Sequence, residues 1–165
     1  MKRTLAEMVR EFRQHWKNYV LQSVLATLTL FVALHVFSFE RGIVVASLGA
    51  SAFIVFAMPD SLTARASHVV GGHCVGLVCG LACLSISGPV ANPPAAYAVA
   101  ICAVAVGLSI FVMVVTDTEH PPAAGTALGV VMMGCSWRTA LGVIASAALL
   151  AVAHRVLRRY LRDLA

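Results

Sequence analysis

From Ala95 to Val115 the chain runs without one charged side chain. Three further stretches, from about Val20 to Phe39, His68 to Ser87 and Thr139 to Leu157, are nearly as apolar. About 20 such residues in helical form cross the hydrocarbon core of a bilayer. Inside lipid each backbone polar group must be satisfied within its own segment, which leaves the helix as the conformation open to such stretches. Composition agrees: 60% of residues are hydrophobic and 12% charged, against about 45–50% and 25% in ordinary globular domains. The expected fold is an all-α, polytopic integral membrane protein built as one domain over residues 1–165.

The formal net charge of +5 gathers at the two ends. Lys2, Arg3, Arg10, Arg13 and Lys17 precede the first apolar run, and Arg155, Arg158, Arg159 and Arg162 close the last. Basic clusters that flank hydrophobic spans fit anionic headgroups and fix topology, so lipid rather than nucleic acid is the expected partner. With positive charge inside, both termini are expected in the cytoplasm, in a bacterial inner membrane. The five cysteines include no CxxC pair and are expected to pack as small polarisable side chains.

Residues 1–19 read as an interfacial amphipathic helix, with Leu5, Met8, Val9, Phe12, Trp16 and Tyr19 at helical spacing. Two halves follow, 20–87 and 95–159, separated by the uncharged, proline-rich stretch 88–94. Each half orders its segments long, short, long, which makes six hydrophobic segments in all. The short ones, 42–58 and 121–135, either cross or re-enter. Each follows a glutamate, Glu40 or Glu119, and each carries small residues. Three segments per half would invert the second copy relative to the first, and paired short, Gly-interrupted segments mark a midplane site in inverted-repeat transporters. Gly72, Gly76 and Gly80 in the third segment clear one helix face for close packing.

The most unusual stretch runs from Glu119 through His120, Pro121, Pro122, Ala123 and Gly125 to Thr126. Two prolines suit the first turn of a helix, where donors are unpaired anyway, and His120 before them is pushed toward extended geometry. The N–H groups of Ala123, Ala124 and Gly125 would then face an anion at the helix start. Ser47, Gly49 and Ser51 in the other half would line the opposite wall. His73 lies inside a span, where an ionisable side chain is a functional hypothesis by default; Glu40, Asp117 and Glu119 sit where gating or proton-linked groups would. His68 is expected at the interface. No Ser-His-Asp spacing, phosphate loop or HExxH site is present, so neither enzyme activity nor a cofactor or metal is expected.

At these residues the chain resembles the HPP family of integral membrane proteins, named for the His-Pro-Pro motif. The resemblance takes in His120-Pro121-Pro122-Ala123 with Gly125 to Leu128, Ser47-Leu48-Gly49-Ala50-Ser51-Ala52, and Val69-Val70-Gly71-Gly72-His73. The family shows Asn where His68 stands. It implies a small membrane protein described with four spanning helices, which favours re-entry of the short segments. It also implies, by analogy with some plant and cyanobacterial relatives, nitrite transport. The expectation is therefore a transporter or channel for a small monovalent inorganic anion such as nitrite, in a chain that can form a homo-oligomer. The alternative is a non-transporting scaffold or sensor subunit.

Overall fold

The computed structural model describes residues 4–37, 42–87 and 94–164. Glu40, Arg41 and most of the proline-rich connection lie outside the described residues. Among the described residues six helices follow one another: α1 (Leu5–Phe37), α2 (Gly42–Ala57), α3 (Ala66–Ser87), α4 (Ala95–Val115), α5 (Pro121–Met133) and α6 (Trp137–Leu157), with single 3-10 turns at Leu62–Ala64 and Arg158–Tyr160. Among the described residues there is no strand. Four helices among those residues are long and apolar enough to cross a membrane, and α2 and α5 are shorter.

The amphipathic N-terminal piece and the first span form one helix, bent at His15, whose φ of −126° and ψ of 16° are not helical. The break therefore falls four residues before the expected boundary at 19. Across it, Phe12 and Tyr19 still meet edge to face at 5.4 Å.

The direction of α2 is fixed at both of its ends. Val44, near its start, packs with Val130, Val143, Ala140 and Cys135, at the close of α5 and the opening of α6. Its far end meets the C-terminal segment: the Leu164 N–H donates to the Ala57 carbonyl at 2.9 Å, His154 Nε2 lies 3.0 Å from the Pro59 carbonyl, and Arg158 pairs with Asp60. A re-entrant segment returns to the face it left; α2 does not, and α5 likewise runs from the His120 end to the Cys135 end. The six helices thus alternate in direction, contrary to the re-entry that the family description favours. At about 1.5 Å per residue, the 16 residues of α2 and 13 of α5 reach about 24 and 20 Å. Both fall short of a hydrocarbon core of about 30 Å.

Gln22 ties α1 to this same end. It is buried, and its Nε2 donates to the Arg162 carbonyl at 2.8 Å and to the Phe56 carbonyl, while its Oε1 accepts from the Arg162 N–H at 3.1 Å. Three chain segments are thereby joined by one amide, which meets the demand that buried polar groups be paired.

The outer faces are apolar and open: Val99, Phe111 and Val115 on α4 are all exposed, as lipid-facing residues must be. Inside, α5 is enclosed by α2, α3 and α4. The α3 glycines allow that approach. A Cβ on Gly72 would lie 2.6 Å from the His120 Cβ, one on Gly80 would lie 2.8 Å from the Ala127 carbonyl oxygen, and one on Gly76 would collide with the Ala123 carbonyl. Missing side chains on α3 let the α5 backbone lie against it.

Candidate functional site

The middle of an apolar bundle holds a cluster of polar side chains: Ser47 and Ser51 from α2, His73 from α3, and His120 and Thr126 from the start of α5. All five are buried, and Ser51, His73, His120 and Thr126 are 0% exposed. Each comes from a helix for a local reason. Ser47 and Ser51 stand four apart on α2, hence on one face. His73 follows Gly72 on α3, and the missing side chain of Gly72 is what lets His120 lie against that helix beside it. His120 has the extended backbone its prolines require, φ −139° and ψ 93°, with Pro121 and Pro122 opening the helix behind it.

Ser51 Oγ lies 2.9 Å from His73 Nε2 and 2.8 Å from His120 Nε2, and it reaches the Ser47 carbonyl at 3.1 Å. The other nitrogen of His73 meets Thr126 Oγ1 at 2.8 Å. Ser47 Oγ stands 2.9 Å from Thr126 Oγ1 and donates to the Pro122 carbonyl at 2.6 Å. His120 Nδ1 lies 2.8 Å from the Thr63 carbonyl. The two imidazole centroids are 5.3 Å apart. Residues far apart in sequence, from both halves, thus share one hydrogen-bonded cluster.

The family model of the HPP transmembrane region matches residues 11–163, which take in every residue of this cluster. The chain belongs to the HPP transmembrane family. A transmembrane protein of Dictyostelium discoideum is 37% identical over 93 residues, covering 56% of this HPP chain and 31% of the relative. The chain thus spans about a third of that protein. No solved structure matches this HPP domain.

Other expected residues fall outside the cluster. Gly125 packs beside it, its absent side chain facing Ser47 Cβ at 3.4 Å, while Gly49 faces open space with nothing within 4 Å. Pro122 and Ala123 are buried and Pro121 is exposed. The Ala123 N–H is not free for a solute, because it closes on the His120 carbonyl at 2.8 Å.

Asp117 and Glu119 lie at the mouth, on the turn before α5. Asp117 is exposed and has a left-handed backbone, φ 53°. His68 is buried rather than interfacial, with Nδ1 3.3 Å from the Glu119 carbonyl and 3.6 Å from Glu119 Oε2. His68, Asp117 and Glu119 bring one donor atom each within 4.8 Å of one another. Asp117 is exposed and Glu119 partly so, while Glu119 Oε2, the oxygen facing His68, is buried without a hydrogen-bond partner. We read the group as a polar mouth. Thr63 went unforeseen. Its contribution is a backbone carbonyl, which carries no side-chain signature; the signal available was a polar turn after Pro59.

Proposed function

We propose that this HPP domain is a transporter or channel for a small monovalent anion such as nitrite, with the cluster joining α2, α3 and α5 as its substrate site. The observation that carries this is the contact of two short helices, one from each half, through Ser47–Thr126 and Ser51–His120 in the interior of an apolar bundle. Buried polar side chains at membrane depth are costly unless they serve a partner or a path. The cluster favours an anion over a cation by its chemistry. Its side chains are hydroxyls and imidazoles, which are neutral or positive; the carboxylates of Asp117 and Glu119 stay at the mouth. The order long, short, long in each half supports an inverted repeat, with the site at its seam.

The membrane is proposed to be a bacterial inner membrane with both termini cytoplasmic. Arg65 shares an end of the bundle with Arg155, Arg158, Arg159 and Arg162, while Arg138 lies at the other, as the positive-inside tendency requires. Reconstitution of the full chain in liposomes, with nitrite, nitrate, formate and chloride offered across a pH series, tests the function. Flux of one of these anions that is lost in Thr126→Val supports it, and no flux above protein-free liposomes overturns it.

One observation favours a second function. Every polar side chain of the cluster already has a protein partner, as a scaffold that uses polar contacts to fix helix packing would need. A protein that moves none of the four anions yet co-purifies stoichiometrically with another membrane protein would establish that function instead.

A further inference from the structure

A carbonyl oxygen only accepts, a hydroxyl carries one proton, and a neutral imidazole carries one on either of two nitrogens. Seven contacts join the cluster: His120 Nδ1 to the Thr63 carbonyl, His120 Nε2 and His73 Nε2 to Ser51, His73 Nδ1 to Thr126, Thr126 to Ser47, and the two serines to the carbonyls of Ser47 and Pro122. Three hydroxyls and two neutral imidazoles supply five protons for these seven contacts.

Up to Thr126, their order is forced from one end. Because the Thr63 carbonyl only accepts, His120 carries its proton on Nδ1 and leaves Nε2 bare. Ser51 must then donate to His120, so His73 donates to Ser51 from Nε2. Its Nδ1 is bare in turn and Thr126 donates to it, while Ser47 keeps its own proton on the Pro122 carbonyl, which only accepts. The result is a head-to-tail chain, Thr126 to His73 to Ser51 to His120 to Thr63, with Ser47 turned to the Pro122 carbonyl beside it. Along α5 it reaches from His120 to Thr126, about 9 Å of helix at 1.5 Å per residue. It therefore leads from the surface turn at Thr63 toward the middle of the bundle.

We propose that this chain is a proton relay in which Ser51 passes a proton between His73 and His120, so that the transported anion moves together with a proton. Coupling to an anion rests on the transport function above; the relay itself does not. A proton arriving from the deep side binds His73 Nδ1. Thr126 then turns its hydroxyl to Ser47 Oγ, which stands ready as acceptor at 2.9 Å because its own proton is on the Pro122 carbonyl at 2.6 Å.

In the transfer, His73 gives its Nε2 proton to Ser51 Oγ while Ser51 gives its own to His120 Nε2. One N–H and one O–H bond break, one O–H and one N–H bond form, and a single positive charge moves from ring to ring with no change of oxidation state. His120 then gives up its Nδ1 proton toward solvent at the Thr63 turn, which leaves both rings as the opposite tautomers. The return takes tautomer exchange of His73 and His120, rotation of Thr126 back to His73, and rotation of Ser51 past the Ser47 carbonyl at 3.1 Å. Ser51 is thus a relay residue, and Thr63 a positioning residue that sets the direction.

Few other charges face the pair. In sequence, α2, α4 and α5 have no charged side chain. Helix α3 adds His68, the turn before α5 adds Glu119 and the exposed Asp117, the turn after Thr63 adds the exposed Arg65, α6 adds His154 held on the Pro59 carbonyl and the exposed Arg138 and Arg155, and Asp60 is taken by Arg158. The mouth group of His68 and Glu119 lies next to His120, where a proton would be exchanged with water.

The test uses the full chain in liposomes that contain a pH-sensitive dye, with sodium nitrite added outside and nitrite entry and luminal pH followed together. Acidification that tracks nitrite entry is expected in the wild type. Ser51→Ala should slow acidification about 100-fold, the scale of a positioned proton-transfer group. His73→Gln keeps an amide on both partners yet holds no extra proton, and should do the same while unfolding in detergent as the wild type does. Nitrite entry without acidification, or acidification unchanged in Ser51→Ala, overturns the relay and leaves transport standing. Proton movement without nitrite entry supports the relay and overturns the anion. Absence of both overturns both.

Discussion

The Nδ1 of His120 sits 2.8 Å from the carbonyl oxygen of Thr63, and this contact sets the proton order of Ser51, His73 and Thr126 behind it. It is made possible by two prolines that hold His120 extended at the N-terminus of α5. The same prolines end the turn that carries Asp117 and Glu119, so the mouth and the buried cluster meet at one residue.

Thr126 is the hydroxyl on which both halves converge, 2.8 Å from His73 and 2.9 Å from Ser47. Thr126→Val keeps the shape and removes the hydroxyl, leaving His73 Nδ1 without a partner. Loss of about 1–3 kcal/mol of stability is expected, together with loss of anion flux. Thermal unfolding in detergent and a flux assay on the same preparation check the two effects.

The α3 glycines separate packing from function. Gly76→Ala pushes a methyl into the Ala123 carbonyl, and backbone cannot yield as a flexible side chain can. A cost of about 1–3 kcal/mol is expected. Gly49→Ala, with open space around its Cβ, should be neutral or stabilising by up to about 1 kcal/mol from helix propensity. Unfolding curves of the two variants give the comparison.

Ser146, on α6, has a buried hydroxyl without a hydrogen-bond partner. Removing an unpaired buried polar atom recovers its desolvation cost. Ser146→Ala should therefore raise stability by about 1 kcal/mol, or leave it unchanged, with flux like the wild type.

Gln22 is the contrasting case. Gln22→Leu leaves the N–H and carbonyl of Arg162 without their amide partner, and each orphaned backbone group costs about 1–3 kcal/mol. The expected result is a lower unfolding temperature and faster trypsin cleavage among Arg155, Arg158, Arg159 and Arg162, because the C-terminal segment loses its tie to α1.

Spans and helical class were legible because apolar length leaves lipid-embedded chain few alternatives. The pairing of the two short segments was legible in their small residues, and close α3 packing in the spacing of Gly72, Gly76 and Gly80. What could not be read was which end of the bundle each short segment reached, since both topologies satisfy the charge pattern. Ala50 and Gly49 share a motif with Ser47 and Ser51, yet a motif in sequence does not say which face turns inward; helical geometry at i and i+4 does. Gln22 and the Thr63 carbonyl escaped notice for different reasons: a lone amide in a span has no pattern, and a backbone acceptor has no identity.

Anion flux through the buried cluster is the central claim, and flux in liposomes measures it most directly. Wild-type protein should carry nitrite or another of the four anions well above protein-free liposomes, with Thr126→Val reducing the rate by about 100-fold while remaining folded. Equal rates in liposomes with and without the protein, or in wild type and variant, would contradict it.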